Sequence, residues 1–378
     1  MAMAFLDIPR ALPSSNWLND VLIRICILLQ LTKTQYKEAE AHYLSVAEWL
    51  RAPASPIATL NPDIYPQGSL RIGTTVRPWW REEYDLDLVL WLELYQNANP
   101  IEVLDLVERR LRDHGTYAPM VERKNRCIRL NFARQFHLDI LPARPDLRFS
   151  GSHILVPDCA AKDWKESNPK GYAAWFEGRG ALQLAEGTRA AIEQLPLPEG
   201  AEDKNALQLA VQLLKRWRDI RFANTPELAP ISIVLTTLAG LNYTGELNPI
   251  EALSAIVQRI NCTVPSFGRL VVCNPANPHE DLSERWDGSP EAYGAFVAAM
   301  RDLESDLAEL QRPGMPATSQ RLERLFGETA PMAIREQAAT VETMRKTSEL
   351  GVARTGAITV VTSSGAVPVR RNTFYGKK

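Results

Sequence analysis

Apolar positions along this chain follow two regimes, divided near residue 160. In the first, helical and strand spacings alternate. Leu18, Val21, Leu22, Ile25, Leu28 and Leu29 recur at steps of three and four, and Ala39, Tyr43, Val46, Ala47 and Leu50 continue a helical stripe. Residues 15–51 are therefore predicted as one or two helices, ended by Pro53 and Pro56. Residues 57–75, with Gly68-Ser69 and Gly73-Thr74, read as loop. The stretch 84–94 alternates with period two and predicts a strand. Residues 101–114 form an amphipathic helix closed by Gly115, and 126–132 and 136–141 are two further strands, the second ended by Pro142. Helix, turn, strand, helix, strand, strand implies a mixed sheet with helices against it.

In the second regime strand signals fade. Residues 181–194, 203–222, 231–241, 249–260, 290–310 and 319–326 all favour helix, and Pro196, Pro198 and Gly200 punctuate a hinge. From Gly351 onward Thr, Ser, Gly and Val predominate and the chain is expected to be extended. The fold class is α+β, with a mixed-sheet lobe followed by a helical lobe.

A length of 378 residues suits two domains or one bilobed unit, and a hydrophobic share of 45% is ample for a large core. A net charge of −2 excludes general nucleic-acid affinity. That total hides a basic end: residues 351–378 carry +5, leaving −7 on residues 1–350. Cys26, Cys127, Cys159, Cys262 and Cys273 are scattered and form no C-x-x-C pair, which argues against a disulfide framework or zinc ribbon and suits a reducing cytoplasm. The apolar run 21–31 is broken by Arg24 and too short to span a bilayer, and the first ten residues lack the basic start of a signal peptide, so no membrane association is expected.

The chemistry concentrates in two pieces. Gln67-Gly68-Ser69 is a turn able to offer backbone N–H groups and a hydroxyl to phosphate. Sixteen residues beyond Ser69 comes Asp85-Leu86-Asp87, inside an alternating apolar strand. Asp85 and Asp87 share a face, and neighbouring carboxylates repel unless a cation lies between them. Hard oxygen ligands suit Mg²⁺ or Mn²⁺. Asp139 lies on another apolar strand, where an unpaired carboxylate is costly; it pairs either with a metal or with a nearby arginine, Arg129 or Arg134. If the strands are adjacent, Asp85, Asp87 and Asp139 suit a two-ion site, with Asp139 as ligand or base. His137 shares the face of Asp139 and reads as a satisfied strand histidine. His42, His114, His153 and His279 show no metal spacing. Gly178-Arg179-Gly180 lacks the third glycine of a dinucleotide fingerprint.

In order, these segments resemble the cGAS/DncV-like nucleotidyltransferases (CD-NTases) of bacterial CBASS anti-phage defence, within the DNA polymerase beta-like superfamily. The matching text is Gln67-Gly68-Ser69 with Gly73-Thr74 and Pro78, Glu83-Tyr84-Asp85-Leu86-Asp87-Leu88-Val89 and His137-Leu138-Asp139-Ile140-Leu141-Pro142-Ala143. It continues in Ser167-Asn168-Pro169-Lys170-Gly171-Tyr172, Gln212 to Asp219, Ile231 to Leu238 and Asn274-Pro275, and the end from Pro368 to Gly376 is similar too. The resemblance implies a polymerase beta-like catalytic core and a helical lobe of the oligoadenylate synthase type, closing a cleft between them. Residues 1–56 would be a helical segment spanning the lobes, 57–165 the core, 166–345 the helical lobe and 346–378 a basic tail. It implies synthesis of a cyclic di- or trinucleotide from nucleoside triphosphates with release of pyrophosphate. It also makes Asp85, Asp87 and Asp139 ligands of two Mg²⁺ or Mn²⁺ ions. Gln67, Gly68 and Ser69 would hold the donor triphosphate, Lys215 and Ser232 phosphate from the helical lobe, and Arg129 the acceptor nucleotide.

A lysine is a suitable point charge for phosphate, whereas Arg216 and Arg218 are expected on a solvated basic face and Ser232 could equally be an N-cap. Ser167 stands where pyrimidine-using members carry Asn, which favours purines. The segment His279-Glu280-Asp281-Leu282 replaces a Glu-Asn usual in the family and leaves the role of its loop open. An operon-encoded effector is expected, together with a ubiquitin-transfer-like protein acting on the C-terminus; DNA activation is not, since the zinc insertion is absent and the charge is −2. Two alternatives share the acids or the pocket: a toxin-like nucleotidyltransferase acting on protein or tRNA, and a catalytically silent nucleotide-binding partner.

Overall fold

The computed structural model describes residues 17–77, 83–133, 136–180, 193–196, 200–201, 203–312, 318–352, 358–360 and 367–368. Two helices open it, α1 (Trp17–Leu29) and α2 (Lys33–Arg51), the latter fixed by a capping box in which Thr32 and Gln35 satisfy each other's backbone N–H. The core then runs β1 (Asp63–Gln67), the short α3 (Gly68–Arg71), β2 (Tyr84–Trp91), α4 (Pro100–Arg112), β3 (Val121–Arg123), β4 (Ile128–Phe132), β5 (Phe136–Pro145), β6 (Ile154–Asp158) and β7 (Asp163–Ser167). Next come α5 (Pro169–Arg179), α6 (Ala206–Arg221), α7 (Ser232–Asn242), α8 (Pro249–Thr263), a hairpin of β8 (Cys273–Asn274) and β9 (Asn277–Asp281), α9 (Pro290–Leu310), α10 (Thr318–Phe326) and α11 (Thr329–Lys346).

Strands β1–β7 form one mixed sheet. Its main path is β1-β2-β5-β4-β3, with β6 on the far part of β5 and β7 on β6. The pair β2–β5 is parallel and the others antiparallel. The even positions of β2 and β5, such as Leu86, Leu88, Leu138 and Ile140, are buried with α2 and α4 in one core. The odd positions face the other way: at one end Val89 packs with Tyr65, Ala143, Ile154 and Val156, and at the other stand Asp85, Asp87, His137 and Asp139. The second core joins α1 to α5–α10. The two N-terminal helices thus part company, α1 into the helical core and α2 under the sheet. The last helix, α11, returns to α1, where Arg24 donates to Gln337 Oε1 at 2.9 Å and Thr340 Oγ1 at 2.8 Å.

Several sequence expectations need correction. Strand β5 does not stop at Pro142 but continues to Pro145. Pro142 falls where β4, which ends its pairing at Ile140, has left the edge and β6, which begins at Arg144, has not yet arrived, so the missing N–H breaks no ladder bond. Strands do not end near residue 160, since β7, β8 and β9 follow. Helix α11 went unpredicted: its buried face is Ala330, Ala333, Gln337 and Met344, which gives little apolar contrast. The predicted helix 181–194 falls on residues 181–192, outside the described residues, and 193–194 are not helical. Pro78, Arg134, Pro198 and most of the tail also lie outside them. The described parts of the tail, Leu350–Val352, Ile358–Val360 and Val367–Pro368, pair as a three-stranded sheet. Among the described residues no helix is long and apolar enough to cross a membrane.

Candidate active site

Strand register assembles the acidic wall. Gln67 pairs with Asp87 across β1–β2, Asp87 with Asp139 across β2–β5, and Asp139 with Arg129 across β5–β4. Four side chains from distant segments thus form one row, at strand spacings of about 4.8 Å. Asp85 is one pleat along, beside His137. Gly68 follows Gln67 with φ +66°, and a Cβ there would lie 2.3 Å from Asp87 Oδ2. Only glycine both adopts that backbone and leaves the carboxylate its place. Ser69 follows, its hydroxyl 3.1 Å from that of Thr75.

Charges in this wall are unevenly matched. Arg129 forms a fork on Asp139, Nε to Oδ1 and Nη2 to Oδ2 both at 2.7 Å, and reaches Asp85 Oδ1 at 3.1 Å. Arg129, one of the two arginines open to Asp139 from sequence, is thus a partner of it, and Arg134 lies outside the described residues. Asp139 in turn keeps Arg129 firmly protonated. His137 joins the network, Nε2 2.6 Å from Glu83 Oε2 and Nδ1 3.3 Å from Asp85 Oδ1. Asp87 has no such partner among the described residues. Burial first, then the charges of Asp139 and Asp85, push its carboxyl up to about 7, with Arg129 and Lys215 offsetting part of the rise.

The facing wall is α6, started by a capping box of Asn205 and Gln208. One side of this helix and the nearby Lys204 donate to the carbonyls of the loop after α3. Gln208 binds Ile72 O at 3.1 Å, Lys204 Gly73 O at 2.6 Å, Lys215 Thr74 O at 3.0 Å, Gln212 Thr75 O at 2.7 Å and Arg216 Arg77 O at 2.7 Å. The loop that follows Gly68-Ser69 and the rest of α3 is therefore laced to the helical lobe by side chains recurring at helical spacing. Buried Lys215 also donates to Thr74 Oγ1 at 3.1 Å. Burial, and then repulsion from Arg218, lowers its ammonium to about 7, against the opposing pull of Asp219 and Asp87. Arg216 is buried and Arg218 is engaged by Ser232 Oγ and Asp219, so neither belongs to a solvated basic face. Ser232 is the first residue of α7 rather than its cap, which is Ile231.

Between these walls lies a cleft of about 1180 Å³, above the usual ~300–1,000 Å³ of a small-molecule site and roomy enough for more than one nucleotide. Gln67, Gly68, Ser69, Asp85, Asp87, Lys215 and Ser232 line it; Asp139 and Arg129, one and two strands beyond β2, do not. Among the described residues no three His, Cys, Asp or Glu side chains already converge as a metal cage, since Asp139 turns both oxygens to Arg129. The donor chemistry nonetheless fits a hard divalent cation: Asp87, an anion destabilised by two like charges, is the group that such an ion would relieve. The far end of the cleft holds Ser167, which the family resemblance ties to base preference, beside Asn274 and Glu280, which sequence reasoning left without a role.

Residues 18–179 match the family described as Second Messenger Oligonucleotide or Dinucleotide Synthetase domain. A c-di-GMP synthase of Roseivirga ehrenbergii is 32% identical over 367 residues, covering 95% of this chain and 97% of that protein. The cyclic dinucleotide synthase CdnG of Bradyrhizobium diazoefficiens is 28% identical over 333 residues, 80% of this chain and 78% of that protein. The solved structure of the Bradyrhizobium CD-NTase CdnG in complex with GTP superposes with a TM-score of 0.72 at 24% identity, over 86% of this chain and 99% of the other.

Proposed function

Since the chain belongs to the cGAS/DncV-like nucleotidyltransferase (CD-NTase) family, we propose that it joins two nucleoside triphosphates, guanine nucleotides among them, into a cyclic dinucleotide with release of pyrophosphate. The observation that carries this reading is the row Gln67–Asp87–Asp139–Arg129, set across a cleft from Lys215. The names of the relatives support the choice of a cyclic dinucleotide and of guanine, and the family resemblance supports a signalling role in anti-phage defence, with an effector as the reader of the product.

Gly68 and Ser69 would receive the triphosphate on backbone N–H groups and a hydroxyl, with Gln67 beside them. Lys215 and Ser232 would meet the phosphates from the opposite wall, Lys215 exchanging Thr74 for phosphate oxygen and regaining its proton there. Asp85 and Asp87 would hold divalent cations, and Asp139 would do the same or accept the proton of the attacking hydroxyl, once Arg129 releases it. Two Mg²⁺ or Mn²⁺ ions, when bound, supply charge neutralisation of the triphosphate and a lowered pKa for the attacking hydroxyl.

Incubating the protein with radiolabelled NTPs and Mg²⁺ or Mn²⁺, followed by phosphatase and chromatography, tests the proposal. A small phosphatase-resistant product is expected, reduced at least ~10³-fold in an Asp85→Asn/Asp87→Asn variant, as for loss of a principal electrostatic term. Label on a protein or tRNA instead would favour the toxin-like alternative, and undiminished product from the double variant would sink the metal assignment.

A further inference from the structure

The cleft's far end contains a carboxylate for which the chemistry above has no use. Glu280 is on β9, in a hairpin fastened to the body: Asn168 Nδ2 donates to Ala276 O at 3.0 Å, and Asn168, the N-cap of α5, receives the hydroxyl of Ser152 at 2.8 Å. Asn274 braces the turn by accepting from the Ala276 N–H at 2.9 Å and donates to Glu280 Oε2 at 2.8 Å. The hydroxyl of Ser167 approaches Glu280 Oε1 at 3.4 Å. Glu280 is thus held in one orientation on the cleft lining.

Its partners set it apart from its neighbours. Among the described residues, the other acids of this end each meet a cation: Glu166 pairs with Arg148 at 2.7 Å, Asp281 with Arg269 at 2.7 Å, and Glu284 with Lys165 at 2.9 Å. Arg126, whose charge reaches Glu280, is engaged by Asp158 and Glu284. The donors on Glu280 itself are neutral, and burial raises its carboxyl above the ordinary range. A carboxylate has about four acceptor positions, and these two donors leave capacity facing the cleft. Leu141, Val156, Trp164 and Leu282 contribute apolar lining to the same cleft, so the cleft combines apolar walls with a fixed, under-satisfied double acceptor.

We propose that Glu280 selects guanine, its two carboxylate oxygens accepting from N1–H and the N2 amino group of one bound GTP. The inference rests on reading the cleft as a nucleotide site. Guanine presents two adjacent donors on its Watson–Crick edge. Adenine presents at N1 a lone pair that a carboxylate repels, and a buried acceptor left unpaired by the wrong base is costly. The hairpin segment 279–282, which the sequence leaves without a role, is in this view a reader of the base.

The test is equilibrium binding of non-hydrolysable analogues of GTP, ITP and ATP to the wild-type protein and to Glu280→Gln. The introduced glutamine would keep the volume and an oxygen for Asn274 but lose the paired acceptor. Hypoxanthine retains N1–H and lacks the N2 amino group. Wild type is expected to bind the guanine analogue about 10-fold more tightly than the hypoxanthine one, as for one hydrogen bond to a charged group, and about 100-fold more tightly than the adenine one. Both ratios should fall to within about 3-fold in Glu280→Gln, since the discriminating pair has been removed. Equal weakening of all three ligands by the substitution would overturn the proposal, as would wild-type protein that binds hypoxanthine as tightly as guanine, a result needing no variant at all. If guanine selection holds while native GTP gives no cyclic product, the proposed function fails and the role of Glu280 stands. If cyclic product forms without base discrimination, the reverse follows.

Discussion

The two walls of the cleft reach a similar electrostatic condition by different construction. On the sheet side, backbone register alone puts Gln67, Asp87, Asp139 and Arg129 in a row. On the helical side, α6 sends Gln208, Gln212, Lys215 and Arg216 to carbonyls of the loop that follows α3 and its turn at Gly68. Each wall ends in one ionisable group held away from its charged form, the partly buried Asp87 raised to about 7 and the buried Lys215 lowered to about 7. Each group is the kind that a triphosphate with its cations would satisfy: a cation for the acid, phosphate for the ammonium. The free protein therefore carries an electrostatic deficit on both sides of the cleft, a pattern typical of sites built for charged ligands.

The most disruptive way to break this pairing is within the sheet wall, where the turn at Gly68 closes on Asp87. Gly68→Ala would drive a Cβ to 2.3 Å from Asp87 Oδ2 on a backbone with φ +66°. Turnover should fall about 100-fold, the scale of a displacement near 1 Å at a reacting centre, with substrate binding and metal dependence both altered in steady-state assays. Near-normal kinetics would mean that the triphosphate does not use this turn.

Lys215→Met sharpens the comparison from the helical side. Loss of a charged donor to phosphate should raise KM for NTPs about 10-fold, while removal of a buried ammonium raises the melting temperature at about pH 6, where the native state must otherwise hold that charge. If melting temperature instead fell along with activity, the bond from Lys215 to Thr74 would be its main function and the two walls would not be equivalent.

The sheet wall was far more legible in the sequence than the helical one. Alternation at Tyr84–Trp91 and along the start of β5 placed Asp85, Asp87 and Asp139 on one face, because a period of two leaves no other choice. That Asp139 takes Arg129 depends on which residue faces it across β4–β5, and alternation cannot specify the register between strands. On the helical wall, apolar periodicity located α6 but not what its polar side touches. A lysine and two glutamines reaching backbone carbonyls some 140 residues away leave no local pattern. Arg216 and Arg218 looked like a solvated face for the same reason. Glu280 was hidden by a strand of only five residues in a region whose other signals are helical.

The smallest effect is the most diagnostic of how the walls balance. Asp87, with its pKa raised, binds its proton more tightly in the native state, so its contribution to stability is present below about 4, its ordinary range, and is lost as pH rises through about 7. For Lys215, with its pKa lowered, the contribution is present above about 10.4 and is lost as pH falls through about 7. Together they make the cleft's contribution lowest near pH 7, where both groups carry much of their charge without ligand. Melting curves from about pH 4 to about pH 10 should show that Asp87→Asn gains on wild type as pH rises towards about 7, and that Lys215→Met gains as pH falls towards about 7. Each gain should be about 1 °C or more, the shift expected for ~1 kcal/mol in a protein of this size. A triphosphate with Mg²⁺ should narrow both gaps by supplying the missing charges. Curves that run parallel in wild type and both variants would show that solvent already satisfies these two groups, and the cleft would then owe its ligand affinity to the loop lacing alone.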